Sequence, residues 1–191
     1  MTQPYQSLSK LDAATRQLRL AIDLFFKDAD PVGVLTLAGA AHGILRDLSR
    51  DASGPNGPRA RELELEPASR RLVEKNIAEA KNFLKHANKD PTKILQFHPN
   101  WTDFLMFDAI RMHIQLASVL TVPDGFFLLW LSAKYPGVSL LDSFLNGTPL
   151  LSELKRVFPA LGSPSVQKRA FRAAMKASDS ELVPPSSGGR F

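Results

Sequence analysis

Asn82 and His86 stand one helical turn apart in KNFLKHANKDP, residues 81–91, with Lys81 and Lys85 beside them. An imidazole, a carboxamide and two ammonium groups on one face can hold a phosphate and move a proton. On a wheel of about 100° per residue, Asn82 and His86 fall nearly on one line. They point roughly opposite the apolar stripe Val73, Ile77, Ala80, Leu84 and Ala87, so they are not core residues of their own helix. The solvated face of a bundle helix carries the same kinds of side chain, and the wheel does not separate these two readings.

The other polar residues on apolar helices present the same choice. His42 lies beside an apolar face with Arg46 one turn on, and Asp108 is followed on its own helix by Arg111 and Gln115. Asp108 and His42 could meet across helices as an oriented pair in a pocket. The reading favoured from sequence is more local: Asp108 pairs with Arg111, and His42 marks the edge of the core. His113, among Leu105, Ala109 and Leu116, is expected to be a hydrogen-bonded core histidine. His42, His86, His98 and His113 have no HExxH-type spacing, so no metal site is expected. GxSxG, P-loop and GxGxxG patterns are also missing, and no cofactor is expected.

Charge is concentrated in one place. The net charge is +5, and six of the 24 basic residues lie within 155–176 without an intervening Asp or Glu, which leaves the rest of the chain near neutrality. In a helix expected over 164–177, Lys168, Arg169, Arg172 and Lys176 fall within a sector of about 100°. Such a stripe suits a phosphate backbone or an anionic membrane surface, and it is also a common solvated helix face. The opposite face is mostly alanine with Val166, Phe171 and Met175, which favours nucleic acid over a membrane.

Periodicity places these residues in an all-α fold. Leu11, Ala14, Leu18, Ala21, Ile22 and Phe25 recur at three- and four-residue steps and predict a helix over 8–27. Asp30 followed by Pro31 predicts a capped helix over 31–48. Its small residues Thr36, Gly39, Ala40 and Gly43 share one face, where a close helix crossing is expected. Gly, Pro, Asn and Ser make 49–61 a loop. A third helix is expected over 67–88 and a central fourth over 101–120, capped by Asn100 and ended by the residues 122–125. Shorter helices are expected over 126–134, 140–145, 148–158 and 164–177. No window alternates with period two, so no strand is expected. The predicted organisation is a four-helix bundle-like core over 1–120, a smaller helical extension packed on it over 121–178, and a flexible tail over 179–191.

Composition narrows the setting. A 44% hydrophobic content suits one well-buried core, and the absence of cysteine excludes disulfides and thiolate chemistry while fitting a reducing compartment. The apolar runs 31–45 and 125–133 are shorter than the ~20 residues of a membrane span. With no charged and apolar leader at the N-terminus, a cytoplasmic protein is expected.

KNFLKH resembles the RNxxxH motif of the HEPN superfamily, all-α bundles that include many toxin and defence ribonucleases, with Lys81 where that family has arginine. The resemblance implies His86 as acid/base, Asn82 as its polar support and Lys81 on the phosphate, at a homodimer interface and without metal. In that chemistry a neutral imidazole takes the proton of a ribose 2′-hydroxyl, while cations stabilise charge growing on the phosphoryl oxygens. Lysine offers a point charge where arginine offers a bidentate fork, which bears on cleavage more than on RNA association. LAGAAHGILRDL and KNFLKHANKDP also resemble segments of a group of uncharacterised bacterial helical proteins over about the first 120 residues. The expectation is an RNA-associated HEPN-like homodimer, weak or inactive as a metal-independent ribonuclease. The alternative is a non-catalytic helical interaction or scaffold protein.

Overall fold

The computed structural model of the chain describes residues 5–53, 67–86, 88, 90–136 and 168–173. The fold is all-α, with no strand among the described residues. In chain order the helices are α1 (Lys10–Phe26), α2 (Pro31–Ser53), α3 (Pro67–Phe83), α4 (Asn100–Ala117) and α5 (Val122–Lys134). A helical stretch also covers 168–173. The chain divides into two compact units, Met1–Leu120 and Thr121–Phe191.

In the first unit α1 is started by a capping box. The Asp12 amide donates to Ser9 Oγ at 3.0 Å, and the Ser9 amide donates back to the Asp12 carboxylate at 3.2 Å. Its apolar repeat buries Ala14, Leu18, Ala21, Ile22 and Phe26, so Phe26 rather than Phe25 closes the stripe. Asp30 caps α2 as expected, accepting from the Val32 amide at 2.8 Å. α2 then buries Val34, Leu35, Ala38, Ala41 and Leu45 and packs along both α1 and α4. Each large apolar side chain buried here contributes about 1.5–3 kcal/mol. α2 runs to Ser53 rather than stopping at 48, because SRDAS contains no helix breaker and the first glycine and proline come only at 54 and 55.

α4 is buried over most of its circumference, from Leu105 and Met106 to Ile110 and Met112. Asn100 is its first residue, not its cap. Pro99 occupies the cap position without an accepting side chain, and the Asn100 amide donates instead to His98 Nδ1 at 3.2 Å. The helix ends at Ala117, where Ser118 turns left-handed with φ 53°. α3 packs against α2 and α4, and of its described side chains Ala80 alone is fully buried. It ends at Phe83 rather than at 88. The Asn82 carbonyl accepts from both Lys85 and His86 amides, at 3.2 and 3.1 Å, which closes the last turn.

The second unit departs from expectation at its start. Residues 122–125 open a helix instead of ending one: Thr121 and Asp124 form a capping box, with proline in the first turn. α5 buries Phe127, Leu128, Leu129, Trp130 and Leu131. Phe126 meets Phe171 of the 168–173 stretch with ring centroids 5.5 Å apart. The helices expected over 140–145 and 148–158, most of that over 164–177, and the tail over 179–191 lie outside the described residues. No helix among the described residues is long and apolar enough to cross a membrane.

Candidate functional site

α3 divides the residues of KNFLKH between two places. Asn82 and His86 line a cleft of about 480 Å³ with Lys75, Glu79, Phe83, Asp90 and Lys93. Lys75, Glu79 and Asn82 lie at steps of four and three on one stripe of α3, and His86, in the turn beyond the helix, extends that wall. The segment after α3 supplies the other. Lys93 Nζ donates to Glu79 Oε1 at 2.6 Å and lies 3.9 Å from Asp90. This hydrogen bond holds the Glu79 carboxyl below its usual value and raises that of the Lys93 ammonium. The charges of Lys75 and Lys93 are thus balanced by Glu79 and Asp90 while His86 is neutral. A protonated His86 gives the cleft one net positive charge.

Lys81 is not part of that cleft. Its stem lies across α2, where a Cβ added at Gly39 would sit 3.2 Å from Lys81 Cγ. The close approach expected at the small-residue face is therefore made by a side chain at one glycine. Gly43 faces open space, and Thr36 is exposed with its hydroxyl donating to the Val32 carbonyl. Passing over Gly39, Lys81 Nζ reaches His42 Nδ1 at 3.2 Å.

His42 connects this amine to α4. Its Nε2 lies 2.9 Å from Asp108 Oδ2, and Asp108 Oδ1 accepts from Arg111 at 2.9 Å. The local pair expected from sequence is present, and so is the cross-helix pair that was the less favoured reading. An ionised carboxylate only accepts, which assigns the proton to His42 Nε2 and leaves Nδ1 to accept from the lysine. The chain Lys81, His42, Asp108, Arg111 is then consistent at every link.

Electrostatics follow from this packing. Burial, together with the charges of Arg46 and Lys85, pushes Lys81 down to about 8, against the smaller opposing pull of Asp108 and Asp47. Burial acts to raise Asp108, but hydrogen bonds and charge from His42 and Arg111 outweigh it and hold the carboxyl below its usual value. The side chain of His42 is 13% exposed, so the relay sits at the edge of the core, as expected for His42.

The other histidines have structural places. His113 is buried, and its Nε2–H donates to Thr15 Oγ1 at 3.1 Å, since that hydroxyl spends its own proton on the Leu11 carbonyl. His98 caps α4 as described. No group of three or more metal-ligating side chains is found among the described residues. Of the basic stripe, Arg169 is exposed, Lys168 and Arg172 are half-buried beside the buried Phe171, and Lys176 lies outside the described residues.

Lys75, Glu79 and Lys93 were missed in the sequence, although the four-three-four spacing through Lys75, Glu79, Asn82 and His86 was readable. The contact of Lys81 with His42 had no local signal, because it depends on the absence of a side chain at Gly39 on another helix. In comparison with known proteins, the chain matches no family model, no curated protein and no solved structure.

Proposed function

We propose that the protein is an RNA-associated, HEPN-like helical protein that acts as a homodimer and handles a phosphodiester at the cleft of Asn82 and His86. The observation that carries this reading is that both residues line one cleft together with Lys75. Lys75 takes the phosphate contact that the family resemblance would give to Lys81, whose amine is occupied by His42. Asn82 supplies an amide to a phosphate oxygen, and His86 moves the proton of a 2′-hydroxyl. With its two lysines offset by Glu79 and Asp90, the cleft stabilises a developing oxyanion poorly, so cleavage is weak and RNA is mainly held. Lys168, Arg169, Arg172 and Lys176 add contacts to the RNA backbone.

The test is RNA cleavage in EDTA by the purified protein beside His86→Ala. Slow cleavage by the wild type and none by the variant supports the reading. Equal cleavage by both removes His86 from the chemistry, and equal inactivity of both confines the cleft to binding.

A second reading, a non-catalytic helical interaction protein, would use exposed apolar side chains such as Ile94, at 81% exposure, and Leu8, at 51%. Self-association that is lost in Ile94→Asp, with RNA affinity absent in both proteins, would favour it.

A further inference from the structure

Outside the cleft, the most organised group of titratable side chains in the first unit is the relay from Lys81 to Arg111. The geometry points to Lys81 as a nucleophilic amine, with His42 as its acid/base, that condenses with a small aldehyde carrying a phosphate or similar anionic group. This goes beyond the RNA reading and uses none of the cleft residues, so either can fail without the other.

Three observations carry it. The Lys81 stem is held across Gly39, which fixes where its amine is presented, and the residue is only half-buried. The amine donates to the unprotonated Nδ1 of an imidazole whose other nitrogen is anchored on Asp108, itself held by Arg111. This is the arrangement of an activated nucleophile: a reacting group, a base within hydrogen-bond reach and a third group that orients the base. Finally, the groups that face Lys81 are mixed but locally cationic. Arg46 of α2 and Lys85 beyond α3 oppose its charge, while Asp108 of α4 and Asp47 of α2 favour it. Asp108 is engaged by His42 and Arg111, and Asp47 by Arg46 and Arg50. With Arg46 itself paired to Asp47, the positive charge left for an incoming anion is that of Lys85 and of the Lys81 ammonium. Burial, Arg46 and Lys85 lower the amine to about 8, so a useful fraction is unprotonated near neutral pH.

The step balances without oxidant or reductant. The Lys81 ammonium gives a proton to His42 Nδ1, and the resulting imidazolium is stabilised by Asp108. The amine lone pair attacks the carbonyl carbon, the carbonyl electron pair moves to oxygen, and a proton passes from the nitrogen to that oxygen, which gives the neutral carbinolamine. His42 returns its proton to the carbinolamine hydroxyl, the carbon–oxygen bond breaks, and water leaves. A protonated imine remains on Lys81, with the same net charge as the starting ammonium.

Pyridoxal 5′-phosphate and pyridoxal serve as probes, being one aldehyde with and without the anion. Each is mixed with the full-length protein and trapped with borohydride, and labelled lysines are located by peptide mass spectrometry. Lys85, exposed and four residues away, is the internal control. At pH 7.5 Lys81 is expected to label about tenfold or more faster than Lys85, and the phosphorylated probe about tenfold faster than the other. The rate at Lys81 is expected to rise to a plateau with a midpoint near 8. His42→Gln, checked for folding by circular dichroism, is expected to slow imine formation about tenfold or more at pH 7.5, because carbinolamine loses its proton donor. A Lys81 that labels no faster than Lys85, no preference for the phosphorylated probe, or a folded His42→Gln that labels at the wild-type rate and pH profile would each overturn the proposal.

Discussion

Among the described residues, burial and like charge act most strongly on Lys81. Its folded-state value of about 8 lies below the ordinary 10.5, so between these values the unfolded chain binds more protons than the folded one. Stability therefore rises with pH across that window, and at pH 7 the cost of keeping the ammonium in place is fully present. Lys81→Met, which keeps the stem over Gly39, is expected to stabilise the protein by about 1–2 kcal/mol at pH 7 and to remove this rise. Urea unfolding of both proteins from pH 7 to 10.5 measures it. Asp108 behaves in the opposite sense. Its depressed carboxyl adds stability above its ordinary value of 3.8, which is lost as the pH falls through the lower folded-state value. Asp108→Ala, which leaves His42 and Arg111 without their acceptor, is expected to cost about 1–3 kcal/mol at pH 7, read from the shift of the urea midpoint. The residue types in this relay were visible in the sequence, and the cross-helix meeting of His42 and Asp108 was a stated alternative. The part played by Lys81 was not visible, because a wheel describes one helix and the contact is made with a second.

At the scale of elements, sequence periodicity located the helices well where they bury a continuous stripe. α1 buries the expected stripe through Leu18 and Ile22 but closes it with Phe26 in place of Phe25, and α4 is buried around most of its circumference, as expected of a central helix. The ends were less legible, since they depend on which atom accepts the last or first amide. Asp30 was recognisable as a cap from the proline after it. Thr121 was hidden because Val122, Pro123, Asp124 and Gly125 also read as a turn, until Asp124 is seen to return the hydrogen bond. Thr121→Ala removes the acceptor for the Asp124 amide and is expected to destabilise α5 by about 1 kcal/mol, with Ser9→Ala doing the same for α1. Thermal melts followed by far-UV circular dichroism would show both. An unchanged melt in Thr121→Ala would mean that packing, rather than the cap, starts α5.

Across the whole molecule, the first unit joins an apolar core built on α1, α2 and α4 to α3, whose described side chains are mostly polar and exposed or half-buried. Such an element can present both of its polar faces, one to the cleft and one to the relay on α2 and α4. The homodimer in the proposed function is expected to appear as a two-protomer species in sedimentation at micromolar concentration, and a monomer at all concentrations would remove it. RNA binding at the cleft of Asn82 and His86, as proposed, is tested by RNA affinity as a function of salt for the wild type and for Lys75→Glu combined with His86→Ala. Wild-type binding is expected to weaken steeply with salt, and the variant to bind at least about tenfold more weakly with a shallower salt slope. Equal affinity and equal slope in the two proteins would contradict it.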